Sequence, residues 1–76
     1  MSTEEFKQFI ESIGFKFNSH NIFYEYKEFK IYLRPNYYDL FDGSIWTYCI
    51  KLNDLKPLEK YFKRELRSIK LKKILG

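Results

Sequence analysis

With a single cysteine, Cys49, the chain can close no internal disulfide and build no cysteine-only metal site, and it fits a reducing, cytosolic compartment. Glycine is scarce too: Gly14, Gly43 and Gly76 lie too far apart to form a loop that cradles phosphate. His20 is the one histidine. A Ser/His/Asp triad would have to use it, and a zinc site would have to join it to Cys49 and carboxylates; neither CxxC nor HExxH spacing occurs. No apolar run approaches the ~20 residues of a membrane span, and the amino terminus is acidic where a signal peptide would be basic. The carboxylate pairs Glu4/Glu5 and Asp39/Asp42 fall at a helix start and beside a turn, so neither spacing calls for catalysis. These absences lead to the expectation of a soluble, cytoplasmic protein without membrane partner, cofactor, metal or catalytic set.

Aromatics are abundant instead. Eight Phe, seven Tyr and one Trp make up 21% of 76 residues. A single domain of this size is near the limit of what one core can hold together, and each buried ring removes ~150–250 Å² from water, so a few rings can fill a core that small aliphatics could not. There are no repeats, low-complexity linkers or internal boundaries, so residues 1–76 read as one domain.

Patterning predicts an α+β fold in the order α-β-β-β-β-α, a small antiparallel sheet of three to four strands packed by an N-terminal and a C-terminal helix. Ser2 and Glu5 match a capping box, Phe6, Phe9, Ile10 and Ile13 recur on one helical face, and Gly14 stops that helix. Phe15 and Phe17 begin a short strand before the turn-rich Asn18-Ser19-His20-Asn21. Ile22, Tyr24 and Tyr26 then alternate, as do Phe29, Ile31 and Leu33, with Lys27-Glu28 as the tight turn between them and Pro35 as the end of the second run. Lys30, Tyr32 and Arg34 share that strand's other face, either as cross-strand packing and a solvated surface or, since a Tyr sits between two cations, as a place to stack a base and hold its phosphates. Tyr37 to Phe41 forms a further candidate strand, followed by the hairpin signal Asp42-Gly43. From Ile45 to Leu52, alternation puts Trp46, Tyr48, Ile50 and Leu52 on one face and Ile45, Thr47, Cys49 and Lys51 on the other. Apolar residues on both faces indicate a central strand, or an outer face meant to be covered.

Asn53 or Asp54 is the expected cap of the last helix, with Pro57 in its first turn. At about 100° per residue, Leu55, Leu58, Phe62, Leu66 and Ile69 form one stripe, while Lys56, Lys60, Lys63, Arg64, Arg67 and Lys70 occupy an arc roughly 120° wide opposite them. Leu71, Ile74 and Leu75 fall off the stripe, so either the helix ends near residues 68–70 or these three make a separate patch. The formal charge of +4 is uneven: residues 57–76 carry seven Lys or Arg against two Glu, and residues 1–56 seven against eight acids. That asymmetry favours a phosphate backbone or an acidic protein surface as partner.

Two resemblances bear on function. Residues 5–33, with Gly14-Phe15 and then Ser19-His20 entering the strand IFYEY, resemble the HicA family of small toxin ribonucleases, with Asn18 where that family has Gly; the resemblance implies RNA cleavage by His20. DGSIWTYCIKLNDLKPLEKYFKRELRSIKLKKIL is similar to small phage and prophage accessory proteins of AT-rich bacteria, which implies no catalytic residues and, by analogy of class, a defence-inhibiting role. The leading expectation is a non-enzymatic interaction protein that inhibits a bacterial nucleoprotein or defence nuclease such as a CRISPR effector. Its docking surface would be Lys60, Lys63, Arg64, Arg67 and Lys70, with Trp46, Tyr32 and Arg34 as anchors, and its partner a bacterial protein or ribonucleoprotein complex. The alternatives are direct RNA or DNA binding and the His20 ribonuclease; the chain itself would be a monomer or weak homodimer.

Overall fold

The computed structural model describes residues 2–75, and side chains from 2 to 69. Helix α1, Thr3–Ile13, starts at a complete capping box: the Glu5 N–H donates to Ser2 Oγ at 3.1 Å, and the Ser2 N–H donates to Glu5 Oε1 at 3.3 Å. It ends at Gly14 with the Phe15 N–H reaching back to the Ile10 carbonyl and the Gly14 N–H to that of Glu11. Gly14 has φ +133°, and a Cβ there would lie 2.6 Å from the Tyr26 ring. Glycine is required on both counts.

Five antiparallel strands follow in chain order across one sheet: β1 Lys16–Asn18, β2 Phe23–Tyr26, β3 Phe29–Leu33, β4 Tyr37–Phe41 and β5 Trp46–Lys51. The α+β class and element order are those expected, with one more strand than the upper count. Lys27, at φ +54°, turns β2 into β3, and Asp42 Oδ1 accepts the Ser44 and Ile45 N–H groups to turn β4 into β5. Ile22 does not share the alternation of Tyr24 and Tyr26: it sits at φ +61° ahead of β2 and is exposed.

All helices lie on one face of the sheet. That face buries Tyr24, Ile31, Tyr38, Leu40 and Ile50 against Phe6 and Ile10 of α1 and against Leu58 and Phe62. The last helix is two helices, α2 Lys56–Tyr61 and α3 Lys63–Leu75, broken at Phe62 (φ −122°, ψ 35°). Neither Pro nor Gly is at the break. Instead Phe62 drives its ring into the centre of the core, within 5.5 Å of Phe15, 4.7 Å of Phe29 and 5.9 Å of Tyr26. Burying one such ring is worth about 1.5–3 kcal/mol, enough to offset a helical hydrogen bond of about 1 kcal/mol. The N-cap of α2 is Leu55, not Asn53 or Asp54, although Asp54 Oδ1 still accepts the Lys56 N–H at 3.3 Å. Helix α3 runs on to Leu75 rather than ending near residues 68–70; the side chains of Lys70, Leu71, Ile74 and Leu75, and with them the alternative of a separate apolar patch, lie outside the described residues.

Polar ties fix the helix layer to the sheet. The Tyr38 hydroxyl donates to the Asp54 carbonyl at 2.7 Å, the Tyr26 hydroxyl to Glu65 at 3.1 Å, and the Tyr61 hydroxyl to Asp42 at 3.1 Å. Burial pushes the Tyr38 phenol well above its ordinary value.

The expected alternation of β5 does not survive. Leu40 pairs with Thr47 and Tyr38 with Ile50, so Asp39 alone faces both Tyr48 and Cys49. This two-against-one bulge, with Cys49 at φ +56°, lets Trp46 and Tyr48 point away from the helices while Ile50 and Leu52 point towards them. Trp46 and Tyr48 therefore do not share a face with Ile50 and Leu52.

Candidate binding surface

The sheet face opposite the helices carries the residues that alternate with the core residues along each strand. In β2 this places Phe23 there; in β3, Lys30 and Tyr32, with Arg34 just beyond; in β4, Asp39 and Phe41; and in β5, Trp46 and Tyr48. No helix covers these residues, and the rings pack on one another. Phe41 lies 5.2 Å from Trp46, Phe23 5.8 Å from Tyr32, and Trp46 stacks on Tyr48 at 6.1 Å with 14° between planes.

One contact defines the shape. Strands β2 and β5 are separated by β3 and β4, roughly 14 Å at the usual strand spacing. Yet the Phe23 and Trp46 ring centroids are 5.5 Å apart. The two rings lean across the intervening strands and lie along the sheet, half-buried, with Tyr48 at the margin 62% exposed. Lys30 Nζ sits 5.7 Å from the Phe41 centroid and the Arg34 guanidinium carbon 5.4 Å from that of Tyr32.

Beneath this layer is a charge. Asp39 is only 2% exposed, and both of its oxygens are used: Arg34 Nε and Nη2 reach Oδ2 at 3.1 and 3.0 Å, and the Cys49 N–H donates to Oδ1 at 2.9 Å. Hydrogen bonding to Asp39, and then its charge, push the Arg34 guanidinium still higher than its ordinary value, so it stays protonated.

The residues expected to form one docking surface thus separate into two. Tyr32, Arg34 and Trp46 come together on the open face. Lys60, Lys63, Arg64 and Arg67 are exposed on the helix layer, on the other side of the sheet. Lys63 and Arg67 there border a shallow groove of about 560 Å³, floored by Phe9, Leu55, Leu66 and Ile69. The fifth cation, Lys70, lies outside the described side chains. His20 stands exposed in the β1–β2 turn, where its backbone N–H donates to Asn18 Oδ1 at 3.0 Å. Among the described residues no group of three or more His, Cys, Asp or Glu is placed to hold a metal ion, and no helix is long and apolar enough to cross a membrane.

Sequence reasoning missed Phe23, Phe41, Tyr48 and Asp39 as members of the surface. The signal for Asp39 was present: an acid in the middle of the aromatic run YYDLF, five residues after Arg34. No family model, curated protein or solved structure matches the chain. The surface is therefore read from its own chemistry.

Proposed function

We propose that the chain is a non-catalytic binding protein for single-stranded nucleic acid, RNA or DNA, which it holds on the open face of the sheet. The observation that carries this reading is the continuous layer of Phe23, Tyr32, Phe41, Trp46 and Tyr48 on an uncovered sheet, with lysines within reach. A flat aromatic layer offers π-faces to unstacked bases, which a duplex keeps inside its stack, and each stacked base is worth about 1–3 kcal/mol. Trp46 is the sole tryptophan, so it reports on its own site. Titration with short oligonucleotides should quench its fluorescence, single strands should compete far better than duplex of the same sequence, and Trp46→Ala should abolish binding measured by anisotropy. Equal affinity for duplex and single strand, or binding unaffected by Trp46→Ala, would sink the reading.

A second reading keeps the phage accessory protein that inhibits a bacterial nucleoprotein or defence nuclease such as a CRISPR effector. The exposure of Lys60, Lys63, Arg64 and Arg67 on the helix layer favours it, with Lys63 and Arg67, together with Glu59, bordering the apolar groove, since a surface with excess cations next to an apolar floor suits an acidic protein surface or the mouth of an RNA channel. Charge reversal at Arg64 and Arg67 separates the two readings. It should relieve inhibition of an effector nuclease under the second and leave Trp46 quenching by oligonucleotides almost unchanged under the first.

A further inference from the structure

Asp39 is the one buried charged side chain among the described residues, and it lies under the open face rather than in the main core. An ion taken out of water costs several kcal/mol unless its partners compensate, so such a group stays only where its partners are well placed. Its two contacts do different things. Oδ1, holding the Cys49 N–H at 2.9 Å, pins the bulge that allows one strand to bury Ile50 on the helix side while presenting Trp46 and Tyr48 on the other. Oδ2, gripped by Arg34 Nε and Nη2 at 3.1 and 3.0 Å, keeps the guanidinium beside Tyr32 and engaged with a carboxylate.

We propose that Asp39 is the positioning residue of the stacking surface, and that by occupying Arg34 it makes this surface grip bases rather than phosphates. The proposal rests on the single-strand reading above and specifies its ligand: a short unpaired strand held by stacking, with few phosphate contacts. Arg34 is the group one would otherwise assign to phosphate, being planar, charged and partly exposed. Its fork is already turned onto Asp39. The cations left for phosphate on this face are Lys16, Lys30 and Lys51, the first two on either side of Glu25 and the third opposite Tyr37 in the sheet register. Three contacts at ~0.7 each bound the slope of log K against log salt at about −2 for a single strand.

The test is a salt titration of labelled oligothymidylate and oligoadenylate on the intact chain, wild type and variants. Tyr48→Ala should weaken binding by about 5- to 150-fold, the range for one stacked base, and leave the salt slope as it was. Asp39→Asn keeps the side-chain volume but loses the charge that engages Arg34. It should weaken binding several-fold at high salt and steepen the slope by about 0.7, because the freed guanidinium becomes a phosphate ligand. Amide exchange at Cys49 should quicken in the same variant. Wild-type affinity and slope in Asp39→Asn would overturn the proposal.

Should Asp39→Asn fail to fold, Arg34→Gln carries the question. An unaltered salt slope supports the assignment, and a slope shallower by about 0.7 overturns it. Wild-type protein that binds no oligonucleotide refutes the functional reading and, with it, the ligand named here. Exchange at the Cys49 amide still decides whether Asp39 holds the bulge.

Discussion

Phe62 and Trp46 are both large rings laid against the same five strands, one from the helix side and one on the side left open. Phe62 is 1% exposed and wedged among three other rings contributed by the β1 approach, β2 and β3. Trp46 also touches three rings, Phe23, Phe41 and Tyr48, but it is only partly buried. Aromatic rings at similar centroid distances therefore give a core on one face and an available surface on the other. Composition does not separate them; the presence of a second layer does. A chain of this size has helices enough to cover one face, and its surplus of aromatics goes to the other.

The sharpest way to break the comparison is to remove each ring in turn. Phe62→Ala should cost about 3–5 kcal/mol, against a total of about 4–11 kcal/mol expected for a domain of this length, and thermal denaturation followed by circular dichroism should find little or no folded protein at 37 °C. Next in size is Gly14→Ala, which meets both a φ of +133° and the Tyr26 ring 2.6 Å away; chemical denaturation should show a loss of about 1–3 kcal/mol. Trp46→Ala should lower stability by only about 1–2 kcal/mol while removing oligonucleotide binding. If it destabilises the chain as much as Phe62→Ala does, the open face is a second core and not a docking surface.

The smallest effect sharpens the core side of the comparison. Burial raises the Tyr38 phenol above its unfolded value near 10. The folded state therefore keeps a proton that the unfolded chain gives up, and the stability this contributes is complete below about pH 10 and drains away as pH rises towards the folded value. Tyr38→Phe, which also loses the bond to the Asp54 carbonyl, should cost about 0.5–1.5 kcal/mol at neutral pH and flatten the alkaline limb of a stability-against-pH curve.

Local rules were enough for most of the architecture. Ser2 with Glu5, Gly14, Lys27-Glu28 and Asp42-Gly43 each act within a few residues of themselves, so their consequences can be read from the chain alone. What could not be read depends on distant partners. The bulge at Cys49 needs Asp39, ten residues earlier, to take its N–H, and without that acceptor the alternation of β5 looks regular. The break at Phe62 answers to Phe15, Tyr26 and Phe29, none of them near it in sequence. The candidate site was half legible: Lys30, Tyr32 and Arg34 share a face by parity, whereas Phe23 reaching Trp46 across two strands is a product of how the sheet curls. Joining Trp46 to the basic helices as one surface failed because charge patterning names residues, not sides.

The order of the strands has a kinetic side. Each strand pairs with its chain neighbour, so every sheet contact closes a loop of a few residues and costs little entropy in the search. Distant stretches of chain are joined where α1 meets α3 and where the Thr3 hydroxyl reaches the Pro35 carbonyl at 2.9 Å. Refolding should accordingly run in milliseconds or faster, as in other topologies dominated by local contacts. Because the packing of α3 against α1 closes the longest loop, it should follow the hairpins, and pulse-labelled amide exchange during refolding should protect the strands of the open face before α3.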